Sequence, residues 1–414
     1  MKKAITYKLD PILYMHPGDR AMLTKLEKMS VVANLLGAYN DFFCRQVEIQ
    51  IMGSGIHVTA KSLPKLYRTY QEVCDFFGVE NPPHLYLNED PTVNAFAMGA
   101  DRAFIVIHEG MLFKTNEIEQ KYLLGHELAH VMAGHVKYKY LIYELMSLGG
   151  PNSIPFGGIL KDLADLSFMP LLMLWSRRSE YTCDRAGMLA AQKKEAAYSF
   201  FMKISGLPIN YREEVNPEVI VDQAEEFQQV MSSSLIDTYW AARNQLYSTH
   251  PRSIERAAEI KEWIDEGWYE EIVNGNEKTR AELARVMRAD PADAEMRMLI
   301  TRTVIAWAMK QFGLSREEAA APIRKALYYN QSLRNTAVER LLKMELSITP
   351  MQKDKIEYIL SLLFVDNNWT PQQVNIRLPI AESADYAGTK IREQFIRNGN
   401  KPVVISLYSV EESR

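Results

Sequence analysis

The sequence predicts an α+β fold, a small sheet set among helices and followed by an all-α C-terminal domain. Three observations carry that reading. Short strand-like runs cluster between Pro82 and Phe113, helical periodicity dominates on either side, and β signals almost vanish beyond the turn at Thr249–Pro251. At 414 residues the chain is long for one compact domain and comfortable for two or three. We divide it into a mixed domain over 63–269, an N-terminal helical segment over 1–62 that packs on that domain, and a helical domain over 270–414. The second boundary is set at the Asn274–Lys278 turn.

Asp19 to Val47 reads as helix, with apolar residues at Leu23, Leu26, Met29, Val32 and Leu35. Val47 to Val58 looks strand-like, broken by Gly53 and Gly55. A helix over Leu63–Phe77 ends at Gly78, a residue suited to a helix C-terminus. Pro82 and Pro83 open the β region, with strands expected in His84–Glu89, Val93–Gly99 and Ala103–Phe113. Asn116 followed by Glu119 marks a helix start, and that helix is expected to run through His135. After a glycine- and proline-rich break at Gly149–Gly158, another helix is expected from near Ser179 past Gln192. Helical periodicity then marks Ala292–Phe312, Arg316–Tyr328, Asn335–Leu346 and Gln352–Val365.

Hydrophobic residues at 47% and charged residues at 24% exclude a disordered or fibrous chain. The net charge of -4 gives no electrostatic footprint for nucleic acid or an anionic membrane. Three cysteines, Cys44, Cys74 and Cys183, form no disulfide framework and fit a reducing compartment. Tyr7, Lys8 and Asp10 interrupt any export signal. The apolar run Leu166–Trp175 is ten residues with Pro170 inside, against the roughly 20 that a spanning helix needs. A soluble, cytoplasmic protein is expected.

The chemistry is concentrated in His126-Glu-Leu-Ala-His130. Residues four apart on a helix are offset by about 40°, so both imidazoles leave one face and can bind a single tetrahedral zinc ion. Glu127 cannot ligate the same ion without strain, but it can take a proton from a water that the metal polarises. His135 lies five residues from His130, about 140° round the helix, and is expected to face elsewhere as a helix-end residue. The third ligand is sought in a carboxylate. In Ser-Glu-Tyr-Thr-Cys-Asp-Arg-Ala-Gly, Glu180 and Asp184 share one helical face, so the glutamate can reach zinc while the aspartate accepts the outer N–H of a ligating histidine. Ala186 and Gly187 are small, as two helices converging on one ion require. An exposed acidic helix face is the competing reading of that pair.

Four segments in this order resemble the gluzincin peptidases typified by HtpX and the type I CAAX prenyl protease. They are Val93–Gly99, the helix beginning at His126, the segment around Glu180, and Ser248–Arg256 with its Thr-His-Pro. The resemblance spans roughly Leu63 to Ile260. It implies a zincin-like zinc endopeptidase with His126, His130 and Glu180 as ligands of one zinc ion per chain and Glu127 as general base. Asp184 and His250 join the expected catalytic set. His250 either polarises the carbonyl and stabilises the oxyanion, or it caps a turn before the helix at Ser253 while Arg256 pairs with an acidic neighbour. Many relatives carry membrane helices between the two metal-bearing segments, whereas here Tyr138–Arg178 holds charges and a Gly/Pro break. Arg252 also replaces the second proline of the family's Thr-His-Pro-Pro.

Asn94, Ala95, Phe96 and Ala97 have small or apolar side chains suited to an edge that takes an extended peptide as an added strand. An ordinary buried strand is the alternative. Within Tyr138–Arg178, Met146 and Phe156 belong either to an apolar flap over the cleft or to a satellite core. Two other functions compete with peptide hydrolysis in the cytoplasm: a zinc-stabilised interaction protein without turnover, and a peripheral quality-control protease that associates with a membrane without spanning it. The C-terminal helices are expected to offer a surface to a protein partner.

Overall fold

The computed structural model describes residues 8–28, 44–99, 102–139, 142, 168–233, 250–288, 291–329, 378–379 and 407–408. Outside these fall the Gly149–Gly158 break, Met146, Phe156, and the helices expected at 335–346 and 352–365. The chain forms two compact units. The first comprises 1–224, 248–264 and 268–288, and the second comprises 225–247, 265–267 and 289–414. The first unit therefore draws on residues to both sides of the boundaries expected at 62/63 and 269/270.

The first unit is mostly helical around a four-stranded mixed sheet, an α+β arrangement. It opens with α1 (Pro17–Glu27), whose N-terminus carries Asp19 in its first turn. Helix α2 occupies 44–54, where a strand was expected. The alternating Val-Glu-Ile-Gln-Ile mimics a strand, but Cys44, Glu48 and Ile51 bury one helical face and leave Ile49 and Met52 exposed. Val47 and Ile51 pack on Tyr86, Phe104 and Val106. Only Ile56–His57 is extended, forming β1. Helix α3 (Pro64–Phe77) stops where expected, with Gly78 in the left-handed region at φ 63°.

Strands β2 (His84–Asn88), β3 (Ala95–Met98) and β4 (Phe104–His108) complete the sheet in the order β1-β2-β4-β3. β4 runs parallel to β2 and antiparallel to β3. It is buried along its whole length, which explains its unbroken Phe-Ile-Val-Ile run. The strand expected to continue to Phe113 instead turns into helix α4 (Glu109–Lys114).

Helix α5 (Glu117–Met132) begins at a complete capping box, with Asn116 Oδ1 accepting from the Glu119 backbone and the Glu119 carboxylate accepting from Asn116 N. Glu119 also pairs with the buried Lys203 Nζ at 2.5 Å, tying α5 to α7 (Lys194–Ile204). Helix α6 (Phe168–Ala191) starts well before Ser179 and lies along α5. Helix α8 (Val219–Ser233) is followed by α9 (Ser253–Asp265), α10 (Trp268–Val273) and α11 (Glu277–Met287). Arg20 donates to the Met287 carbonyl, and to that of Arg288 at 3.0 Å, holding the end of α11 to α1.

In the second unit α12 (Pro291–Phe312) and α13 (Arg316–Tyr329) pack through Ile305, Ala319 and Ala320. Arg324, fully buried, donates to the Glu266 carbonyl, and Arg302 binds its carboxylate. A parallel pair of two-residue strands, β5 (Leu378–Pro379) and β6 (Leu407–Tyr408), departs from the all-helical expectation. No helix among the described residues is long and apolar enough to cross a membrane.

Candidate active site

His126 and His130 meet edge to face with ring centroids 5.1 Å apart, and both are buried with Glu127 between them. Glu180, fully buried on α6, faces both rings. Its Oε2 lies 3.4 Å from His126 Nε2 and its Oε1 lies 3.4 Å from His130 Nε2. Lys139 reaches Oε1, and His250 Nδ1 lies 2.8 Å from Oε2. The exposed acidic face considered for Glu180 is thereby excluded. Oε2 nevertheless accepts no aligned hydrogen bond, a costly condition for a buried carboxylate oxygen.

Asp184, one turn further along α6, lies 3.0 Å by Oδ1 from His126 Nδ1. Tyr122 OH donates to the same oxygen at 2.9 Å, and Arg256 on α9 grips both oxygens. Burial acts to lower His126, but the carboxylates of Asp184 and Glu180 on its two nitrogens outweigh it and push the ring up to about 9. A carboxylate only accepts, so with a metal at Nε2 the remaining proton stays on Nδ1, against Asp184.

Two close-packed helices make this convergence possible. A Cβ at Gly125 would stand 2.6 Å from Ala190 Cβ, and one at Gly187 would stand 2.8 Å from the Tyr122 carbonyl oxygen. The small residues noted beside Glu180 thus have their counterpart on α5.

Burial sets the charge states here, and the neighbours modify them. Desolvation pushes Glu127 up to about 7, opposed by the charge of His126 and reinforced by that of Glu180. Burial also acts to raise Glu180, but His250, Lys139 and the two histidines more than offset it and hold the carboxyl well below the usual range. Asp184 is likewise held low, because Arg256 outweighs its desolvation.

His126, His130 and Cys183 also bring one donor atom each within 4.8 Å of one another. Burial and the charge of Glu180 push the Cys183 thiol up, so it stays protonated, and its sulfur rests 3.6 Å from His135 Nδ1.

The expectation for His135 is corrected. Helix α5 ends at Met132, and Gly134 at φ 76° reverses the chain before a further turn over 136–139. That break re-aims a fully buried His135 so that its Nδ1 lies 3.1 Å from His130 Nδ1. It also brings up Lys139, which the motif spacing did not indicate. Asp19 escaped the sequence reading as well, since nothing in a residue more than 100 positions upstream signals the contact. Asn94 to Ala97 lie at the β3 edge of the sheet, against which α5 packs.

A paired-histidine helix opposed by a buried glutamate, set beside a small sheet, defines a zincin-type metallopeptidase. Residues 60–264 match the family model for peptidase family M48, and that segment of the chain belongs to this family. The chain is 27% identical over 260 residues to plastoglobule-localized metallopeptidase 48, chloroplastic, of Arabidopsis thaliana, covering 62% of this chain and 73% of the relative. It is 28% identical over 271 residues to a protease HtpX homolog of Polynucleobacter necessarius, covering 61% and 90%. Protease HtpX of Xylella fastidiosa is 26% identical over 223 residues, covering 47% and 72%. No solved structure gives a significant match. The protein is an HtpX-like metallopeptidase.

Proposed function

We propose that the chain is a zinc endopeptidase in which His126 Nε2, His130 Nε2 and the Glu180 carboxylate hold one Zn2+. The observation that carries this is the spacing of the donors. Zinc bonds of about 2.0–2.1 Å in a tetrahedron put neighbouring ligand atoms about 3.4 Å apart. Both Nε2-to-carboxylate separations are 3.4 Å.

When bound, zinc supplies Lewis acidity to the scissile carbonyl and eases deprotonation of water at the site. Glu127 takes the proton of the attacking water and returns it to the leaving amine. Asp184 holds the His126 ring in the ligating tautomer. His250, exposed yet beside Glu180, is assigned to the carbonyl oxygen as charge develops there. The peptide adds as a strand along β3, near Asn94 to Ala97. Three cysteines without a disulfide among the described residues support action in the cytoplasm.

Glu127→Gln keeps size and both histidines but removes the proton acceptor. Zinc content is expected to be unchanged, with hydrolysis of a casein or peptide-library substrate lowered roughly 10²–10⁴-fold. Near-wild-type turnover in this variant rejects the mechanism.

A further inference from the structure

The two metal-facing histidines are held in different ways. His126 Nδ1 meets a carboxylate directly, at Asp184. His130 Nδ1 meets another imidazole, His135, at 3.1 Å, and the far nitrogen of that ring, Nε2, lies 3.0 Å from Asp19 Oδ2, off the line of its N–H. Asp19 and His135 are both fully buried. Asp19 is itself fixed by α6, where Trp175 Nε1 donates to Oδ1 at 2.9 Å and Thr182 Oγ1 donates to Oδ2 at 2.5 Å. Thr182 Oγ1 in turn accepts from His16 N at 3.0 Å, which locks the start of α1 in place.

Two imidazole nitrogens 3.1 Å apart must be one donor and one acceptor. The carboxylate at the far end only accepts, so the neutral His135 ring carries its proton on Nε2 and leaves Nδ1 bare. Nδ1 then accepts from an N–H at His130 Nδ1, 3.1 Å away and nearer than the Cys183 sulfur at 3.6 Å, which leaves His130 Nε2 free to ligate. The direction of the whole chain of contacts is set by Asp19. Outer partners of this kind fix the tautomer and orientation of a ligating histidine and typically govern metal affinity by 10–100-fold.

We infer that Asp19 and His135 are positioning residues of the metal site, with the N-terminal helix α1 orienting His130 through the His135 ring. This rests on the proposed use of His130 Nε2 as a zinc ligand. It adds that the site is completed by a residue outside the 60–264 segment matched to the family.

The test is zinc affinity of the full chain, measured by competition with a chromophoric chelator, together with the visible spectrum of the Co2+-substituted protein. His135→Phe fills the space but accepts no hydrogen bond, so affinity is expected to fall 10–100-fold with a changed Co2+ spectrum. His135→Gln, whose carbonyl can accept from His130 Nδ1, is expected to recover most of the loss, a rescue that simple packing would not give. Wild-type affinity in His135→Phe overturns the inference, as does equal loss in Phe and Gln variants that are both folded. Should neither variant fold, ¹⁵N-histidine NMR of the zinc-loaded wild-type chain decides. An Nε2–H tautomer at His135 supports the inference and an Nδ1–H tautomer overturns it. A wild-type chain that takes up no zinc removes the ligand assignment itself, whereas wild-type binding with a silent His135→Phe removes only the brace.

Discussion

Arg256 and Asp184 form a two-pronged ion pair, with Nε donating to Oδ2 at 2.7 Å and Nη2 to Oδ1 at 2.5 Å. The guanidinium also lies over the Phe201 ring, 5.0 Å from its centre, so its plane is fixed on a second side. Asp184 thereby presents Oδ1 to His126 without freedom to turn away. The arginine near the Thr-His-Pro turn, for which only an acidic neighbour was expected, holds the residue that orients a candidate ligand.

This geometry separates two variants. Arg256→Lys keeps the charge but not the planar fork, and is expected to fold with zinc affinity lowered about 10-fold. Arg256→Ala removes the guanidinium from the buried Asp184 and leaves it only Tyr122 and His126 as partners. Breaking a buried ion pair in this way costs about 3–5 kcal/mol of stability. Chemical denaturation and zinc competition on both proteins check this, and equal stability of the alanine variant and wild type rejects the role given to the pair.

The contact of α5 with α6 makes a second prediction. Replacing Gly125 by alanine improves helix propensity by about 1 kcal/mol. The new Cβ, however, meets Ala190 Cβ at 2.6 Å and the Ala186 carbonyl oxygen at 3.0 Å, and the latter is backbone that cannot swing aside. Overpacking of about 1–3 kcal/mol should win. Gly125→Ala is expected to lower both thermal stability and zinc affinity, because parting the helices spreads the donors they carry. Adding Ala190→Gly should recover part of the loss, and a Gly125→Ala protein more stable than wild type shows that the helices have room to spare.

The site was legible in the sequence where its parts share a helix. Spacing of four placed His126 with His130 and Glu180 with Asp184, and small residues beside Glu180 signalled a close helix pair. Contacts made across the chain were not legible. Asp19 reaches His135 from α1, more than 100 residues away, and no local pattern marks it. His135 was misread because a helix was continued through Gly134, whose positive φ ends it. Gly134 was the available signal, since glycine so often closes a helix. Val47–Met52 was misread for the opposite reason. Its alternation satisfied a strand, while burial against Tyr86 and Phe104 decided for a helix.

The edge strand yields the last prediction. Ala95 faces Ile107 in the β3–β4 pairing, so Asn94 stands opposite His108, and its carbonyl accepts from His108 N at 3.0 Å. Inward bonding alternates along an antiparallel strand, so Asn94, Phe96 and Met98 bond to β4. Ala95 and Ala97 then point their N–H and C=O groups to the open side. A peptide added there pairs with these two residues. Ala97→Pro deletes one outward donor, keeps the bonds to β4, and stands on an edge strand, where proline is tolerated. Losing one hydrogen bond of about 1 kcal/mol should lower kcat/KM for peptide about fivefold, with zinc content and melting temperature near wild type. Phe96→Pro, which breaks an inward bond, should instead lower the melting temperature. Steady-state kinetics on both variants make the comparison, and an Ala97→Pro enzyme with wild-type kcat/KM rules out β3 as the strand that receives substrate.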